Sequence, residues 1–153
     1  MKLLLCAFTI LFSVSIVSQN SFSEDDARML IDTFFEGFHE GDTTKMRSVM
    51  HSNIKMQTAF TDSEGIHQVV DSEGNDLLKT ISERPETQIW EERLLSYHIQ
   101  IDGNLSHVWT PYEFWFNGTF SHCGANAFTL VRTKDGWKII HLIDSRRRTG
   151  CKE

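Results

Sequence analysis

The side chains able to move a proton or hold a charge gather in the last third of the chain, where Tyr112, Glu113, His122, Asp144 and Arg146 lie within 35 residues of one another. Glu113 and His122 flank the dipeptide Asn117-Gly118. A two-residue turn there would set them directly across from each other on neighbouring strands. A carboxylate orienting an imidazole is the usual make-up of a general base, because histidine titrates near neutral pH. The plainer reading is a cross-strand charge contact worth under about 1 kcal/mol on an exposed face. Asp144 and Arg146 stand two apart on one strand face. They form either a rim ion pair or a pocket mouth at which the guanidinium holds an anionic group of a ligand. His122, Glu113 and Asp144 are therefore the candidate catalytic groups.

Seven histidines raise the question of a metal, with His98 and His107 the best placed two. A metal site needs three or four convergent ligands, and neither Cys-x-x-Cys nor His-x-x-x-His spacing occurs. The sequence thus predicts no metal and no cofactor.

The elements that must position these groups are legible from turn chemistry. Three dipeptides, Asp102-Gly103, Asn117-Gly118 and Asp135-Gly136, separate runs rich in Ile, Val, Phe, Trp and Thr between Ile89 and Arg146. Such pairs supply the positive φ of tight hairpin turns, so four long antiparallel strands are expected. If all three are two-residue loops, His98 faces His107, Ser96 faces Trp109, Trp115 faces Phe120, Trp109 and Ser145 face Asn126, and Leu130 faces His141. One face then carries His98, His107, Trp109, Glu113, Trp115, His122, Asn126, Phe128, His141 and Ser145. The other carries Tyr97, Ile99, Val108, Tyr112, Phe114, Leu142, Asp144 and Arg146. Pro111 lies inside the second of these strands and marks a bulge or bend, which weakens the facing assignments beyond it.

Upstream, Ser23 can cap a helix with Ala27, Leu30, Ile31, Phe34, Phe35 and Phe38 on one stripe, ended by Gly41. Asp42 or Thr43 caps a second, short helix. A strand follows with Ile54, Met56, Thr58 and Phe60 alternating, then a brief extended segment over Ile66–Val70. Asp71 or Ser72 opens a third helix with Leu77, Leu78 and Ile81 on its buried side, stopped at Arg84-Pro85. Helices gathered on one face of an antiparallel sheet define an α+β fold.

Residues 1–18 read as a secretory signal: Lys2, an apolar run too short for a bilayer, then small residues. The remaining 135 residues, 19–153, suit one domain. Without Lys2 the formal charge moves from −6 to −7, which argues against nucleic acid as a partner. No membrane contact is expected once the signal is removed. Export would place the chain in the periplasm or outside the cell, an oxidising setting for Cys123 and Cys151. They either form a disulfide worth about 3 to 4 kcal/mol or leave Cys123 as a reactive thiol.

The motif His107-Val108-Trp109-Thr110-Pro111-Tyr112-Glu113-Phe114, then Ser121-His122-Cys123-Gly124, then Gly136-Trp137-Lys138-Ile139 with Asp144-Ser145-Arg146-Arg147, resembles the nuclear transport factor 2-like superfamily. That superfamily includes ketosteroid isomerase, polyketide-cyclase-like proteins and a bacterial lumazine-binding group. The resemblance implies a cone, a strongly curved sheet wrapped around the first helix with a pocket at its open end, often in a homodimer. It implies no single activity. Ketosteroid isomerase uses an Asp base and an oxyanion hole of Tyr and a neutral acid. Tyr112 and Asp144 are residues of those kinds. A cone incompletely filled by its helix leaves an apolar cavity with a few polar groups, for which Trp109, Tyr112, Phe114, His122, Asn126, His141 and Arg146 are the candidate ligand-binding residues.

Three functions follow. A binding module would show hydrogen-bond donors around a pocket and no strongly perturbed titrating group. An isomerase, cyclase or hydrolase would show a buried Asp, Glu or His with a shifted pKa beside a Tyr or second acid. A dimerisation domain would show a filled cone. The sequence favours the first, a secreted protein that holds a small molecule.

Overall fold

The computed structural model describes residues 21–151; the signal assigned to residues 1–18 lies outside the described residues. Helix α1, Glu24–Glu40, begins at Ser23, whose side chain and backbone exchange hydrogen bonds with Asp26 in a capping box. It ends at Gly41, whose φ of 78° provides the left-handed C-cap. Asp42 caps α2, Thr43–Val49, by accepting from the amides of Thr44 and Lys45. Strand β1, Met50–Thr61, pairs antiparallel with β2, His67–Glu73. Helix α3, Gly74–Ser82, follows. Asp71 and Ser72, expected to open that helix, belong instead to β2, and the N-cap position is taken by Glu73 without a side-chain bond.

The C-terminal half holds five strands where four were expected. The first breaks into β3, Trp90–Leu94, and β4, His98–Asp102, which pair with opposite ends of β5, Leu105–Phe116. β5 runs straight through Pro111, which pairs with Ala125. The break falls on the neighbouring strand, between β3 and β4, where the Leu95 amide donates to the Pro111 carbonyl at 2.8 Å. Proline has no N–H to offer this edge, so the ladder on that side is interrupted. β6, Thr119–Thr133, and β7, Gly136–Arg147, complete a sheet in the order β2-β1-β7-β6-β5-β3, with β4 also on β5 and β1 parallel to β7.

The turns differ in detail. Asn117 and Gly118 form the loop as expected, with φ of 49° and 75°. The other two loops are Gly103-Asn104 and Lys134-Asp135, closed by Asp102 with Leu105 and by Thr133 with Gly136. His98 therefore faces Trp109, not His107, and His107 faces Gln100.

Two further irregularities decide the faces. Ser121 is an extra residue in β6, so Trp115 pairs with Phe120 but Phe114 pairs with His122. Ile140 is an extra residue in β7, so Leu130 pairs with Ile139 but Thr129 pairs with His141 and Asn126 with Asp144. Each bulge turns the rest of its strand over relative to the neighbour and adds curvature. The result is a strongly curved, unclosed α+β sheet whose hollow side receives α1. Phe34 and Phe35 meet Phe128 with ring centroids 5.9 and 6.0 Å apart, and Phe38 meets Trp90 and Phe114 at 6.0 and 6.4 Å. Trp137 stacks on Phe22 at 3.9 Å and so fixes the start of α1.

Candidate functional site

Beyond the phenylalanines the cone is not filled. A cavity of about 490 Å³ opens between α1, α3 and the hollow face, with Phe34, Phe38, Trp90, Phe114, Leu77 and Leu142 among its apolar walls. Glu92, His122, Asn126, Asp144, Arg146 and Thr58 are among its polar members, with Asp76 and Thr80 of α3 on the opposite wall.

Asp144, 9 % exposed, receives three donors: the Thr58 hydroxyl at 2.6 Å, the Tyr112 hydroxyl at 3.0 Å and Arg146 Nε at 3.3 Å. Tyr112 is 1 % exposed and lies behind the cavity wall. It reaches Asp144 because its ring lies close over Gly124, its partner across β5 and β6, where a side chain would block it. A Cβ at residue 124 would come within 2.8 Å of that ring and 1.8 Å of the Ser145 carbonyl oxygen. Burial, followed by the charges of Asp144 and Glu92, pushes the Tyr112 phenol above its ordinary value.

Glu92 is the titrating group the sequence reading missed. Its Oε1 accepts from Asn126 Nδ2 at 2.7 Å, and its own backbone amide donates to His39 Nε2 at 3.0 Å. His39 sits in the last turn of α1, and burial lowers its pKa, which keeps Nε2 available as an acceptor. Burial among protein atoms, with a further contribution from Asp144, raises the Glu92 carboxyl to about 7. A signal was present in Trp90-Glu91-Glu92-Arg93-Leu94. Strand alternation puts Glu92 on the same side as Trp90 and Leu94, where a core residue is expected.

His122 is 8 % exposed and stacks on Phe114 with centroids 4.9 Å apart. Burial, then the nearby charges of Arg146 and Arg148, lowers its pKa to about 4, so the ring is neutral at physiological pH. Its Nδ1 lies 3.1 Å from the Ser121 hydroxyl. An Nδ1 that accepts from that hydroxyl leaves the single ring proton on Nε2.

Of the residues singled out from sequence, Phe114, His122, Asn126, Asp144 and Arg146 line this cavity, and Tyr112 supports it. The opposition of Glu113 and His122 does not occur. The Ser121 bulge places Glu113 opposite Cys123, and its carboxylate accepts from Trp115 Nε1 at 3.2 Å. Trp109 is on the outer side and 42 % exposed. His141 bonds Gln57 on β1 at 3.1 Å and does not line the cavity. Cys123 and Cys151 are bonded, their Cα atoms 5.8 Å apart. Among the described residues no three His, Cys, Asp or Glu side chains converge as a metal site requires.

Comparison with solved structures returns neighbours at low identity. A nuclear transport factor 2-like superfamily protein from Salmonella enterica is 15 % identical, with a TM-score of 0.63 over 84 % of this chain and 94 % of that one. A protein of the same fold from Cytophaga hutchinsonii is 12 % identical, with a TM-score of 0.63 over 82 % and 99 %. One from Streptomyces avermitilis, described as a "putative dehydratase" of that family, is 14 % identical, with a TM-score of 0.61 over 80 % and 94 %. These show the shared fold. A search of curated proteins gave no match. Residues 23–142 match the family described as "Putative lumazine-binding". With that match spanning most of the sequence, the chain belongs to the family described as "Putative lumazine-binding", and its curved sheet closing on α1 is the fold of the nuclear transport factor 2-like proteins.

Proposed function

We propose that the cavity binds a small, partly apolar molecule and that Glu92 exchanges a proton with it. The Glu92 carboxyl carries this reading. With a pKa near 7 it is divided between acid and base at neutral pH, the condition under which one group can both take and return a proton. It shares the cavity with a second acid, Asp144, and with a neutral His122 able to donate toward developing charge. Asp144 has both oxygens engaged and serves to hold Tyr112 and Arg146 in place. Removing a proton from one atom of the ligand and returning it to another requires no further reactant, so an isomerase-type shift is the simplest reaction these groups can perform.

Binding without turnover is the second reading. It is favoured by the Tyr112 hydroxyl, which is committed to Asp144 and offers no phenolic donor to a ligand. The two separate experimentally. Trp90 lines the cavity, so its fluorescence reports occupancy. A panel of ring ketones is screened by the tryptophan quenching that is lost in Trp90→Phe, and binders are incubated with the protein in D2O while loss of their α-hydrogens is followed by NMR. Exchange by the native protein that disappears in Glu92→Gln, with quenching retained, supports proton transfer. Binding with no exchange by the native protein leaves a binding module.

Export is part of the proposal. The apolar segment at residues 1–18 and a Cys123–Cys151 bond suited to an oxidising compartment support it. Amino-terminal sequencing of protein recovered from the periplasm or medium tests it, with cleavage near Ser18 expected.

A further inference from the structure

The cavity does not end at Asp144. A second hollow of about 890 Å³ adjoins it and shares Thr58 and Arg146 as lining residues. Arg147 and Arg148 lie along the same hollow. The Arg146 side chain is 48 % exposed, is bonded to Asp144 through Nε and lines both hollows. Arg148 is steadied by donating to the Ser121 carbonyl at 3.4 Å, and the bond from Cys123 to Cys151 returns the tail to β6 close by. The carboxyl groups near these three guanidinium groups are Asp144, Asp62 and Glu92, the last about half protonated at neutral pH. Asp144 has its three donors, and Asp62 accepts from the amides of Glu64 and Ile66 and from Gln68. In a chain of net charge −6 this is a local excess of positive charge, placed at the opening of an apolar cavity.

We infer that the ligand is an amphipathic anion: an apolar, ring-sized body seated in the cavity, and a carboxylate, sulfonate or phosphate held at the mouth by Arg146 and Arg148. This deepens the binding reading above and rests on it. An anionic group here would meet planar donors suited to two-point hydrogen bonding, and the same arginines would draw it toward the opening before the body docks. Neutral apolar molecules of the same size would fit the cavity but gain nothing at its mouth.

The test compares two fluorescent probes of nearly equal body on the full mature chain: 8-anilinonaphthalene-1-sulfonate and the uncharged N-phenyl-1-naphthylamine. The expected result is binding of both, with the sulfonate roughly tenfold tighter, the value of one good charge-assisted contact. Arg148→Gln, which lies outside the cavity lining, should remove most of that advantage while leaving the neutral probe unchanged. Raising salt should weaken the sulfonate alone. Thr80→Trp, which fills the cavity from α3, should abolish both and so exclude adsorption to the surface arginines. Equal affinity of the two probes, or equal loss of both in Arg148→Gln, overturns the anion subsite while the cavity reading stands. Failure of the native protein to bind either probe overturns the cavity reading and this inference with it.

Discussion

Replacing Glu92 with glutamine isolates the energetic weight of the carboxyl on which the proposed chemistry depends. The amide keeps an oxygen to accept from Asn126 Nδ2 and cannot ionise. In the unfolded chain the carboxyl titrates near 4.5, and in the native protein near 7. Between those values the native state holds a proton that the unfolded state has released, so stability from this group is full below about pH 4.5 and is lost as pH rises through 7. At about 1.4 kcal/mol per unit the full rise is worth about 3 kcal/mol. Glu92 is partly accessible through the cavity, and solvent screening reduces this to about 2 kcal/mol. Urea unfolding of both proteins at pH 5 and pH 8 reads the quantity directly. Glu92→Gln should gain most of that amount on the native protein in going from pH 5 to pH 8, a midpoint difference of about 1 M urea for a domain of this size. An equal difference at both pH values, or a variant less stable than the native protein at pH 8, would refute the claim that burial holds this group near neutrality.

The Tyr112→Phe variant removes one of the three donors to Asp144 and should lower stability by about 1 to 2 kcal/mol in thermal melts. Gly124→Ala should cost about 3 kcal/mol or more, because the new methyl group meets a backbone carbonyl that cannot yield; a melt matching the native protein would contradict the close packing of Tyr112 on β6. His122 should stay neutral in an NMR titration until pH approaches 4, and Arg148→Gln should raise that midpoint toward the ordinary value. Its stabilising contribution is present above pH 6.5 and is lost as pH falls through about 4. Reducing the Cys123–Cys151 bond, which closes a span of 28 residues, should lower stability by about 3.5 kcal/mol, seen as a drop in melting temperature on adding dithiothreitol.

Much of the architecture is local and therefore legible in the residues. Ser23 and Gly41 bound α1 because capping and the left-handed backbone are properties of single residues. The phenylalanine stripe at three and four residue spacing fixes which side of α1 is buried. Asn117-Gly118 makes a tight turn wherever it stands. Even Glu92 left a trace, as an acid at an inward strand position between Trp90 and Leu94.

The make-up of the cavity was not local. Alternation alone put His122, Asn126 and Phe128 on one face and Tyr112, Phe114, Asp144 and Arg146 on the other. The extra residues Ser121 and Ile140 reverse β6 relative to both neighbours, and the two sets meet on the hollow side. Neither residue carries a turn signal. What selects those two points is the need of a long sheet to bend around a helix of fixed girth, and that demand exists only once helix and sheet are in contact. The residues by themselves determined the three helices, most of the strands and the groups available for chemistry; the packing of the sheet on α1 decided which of those groups share a cavity.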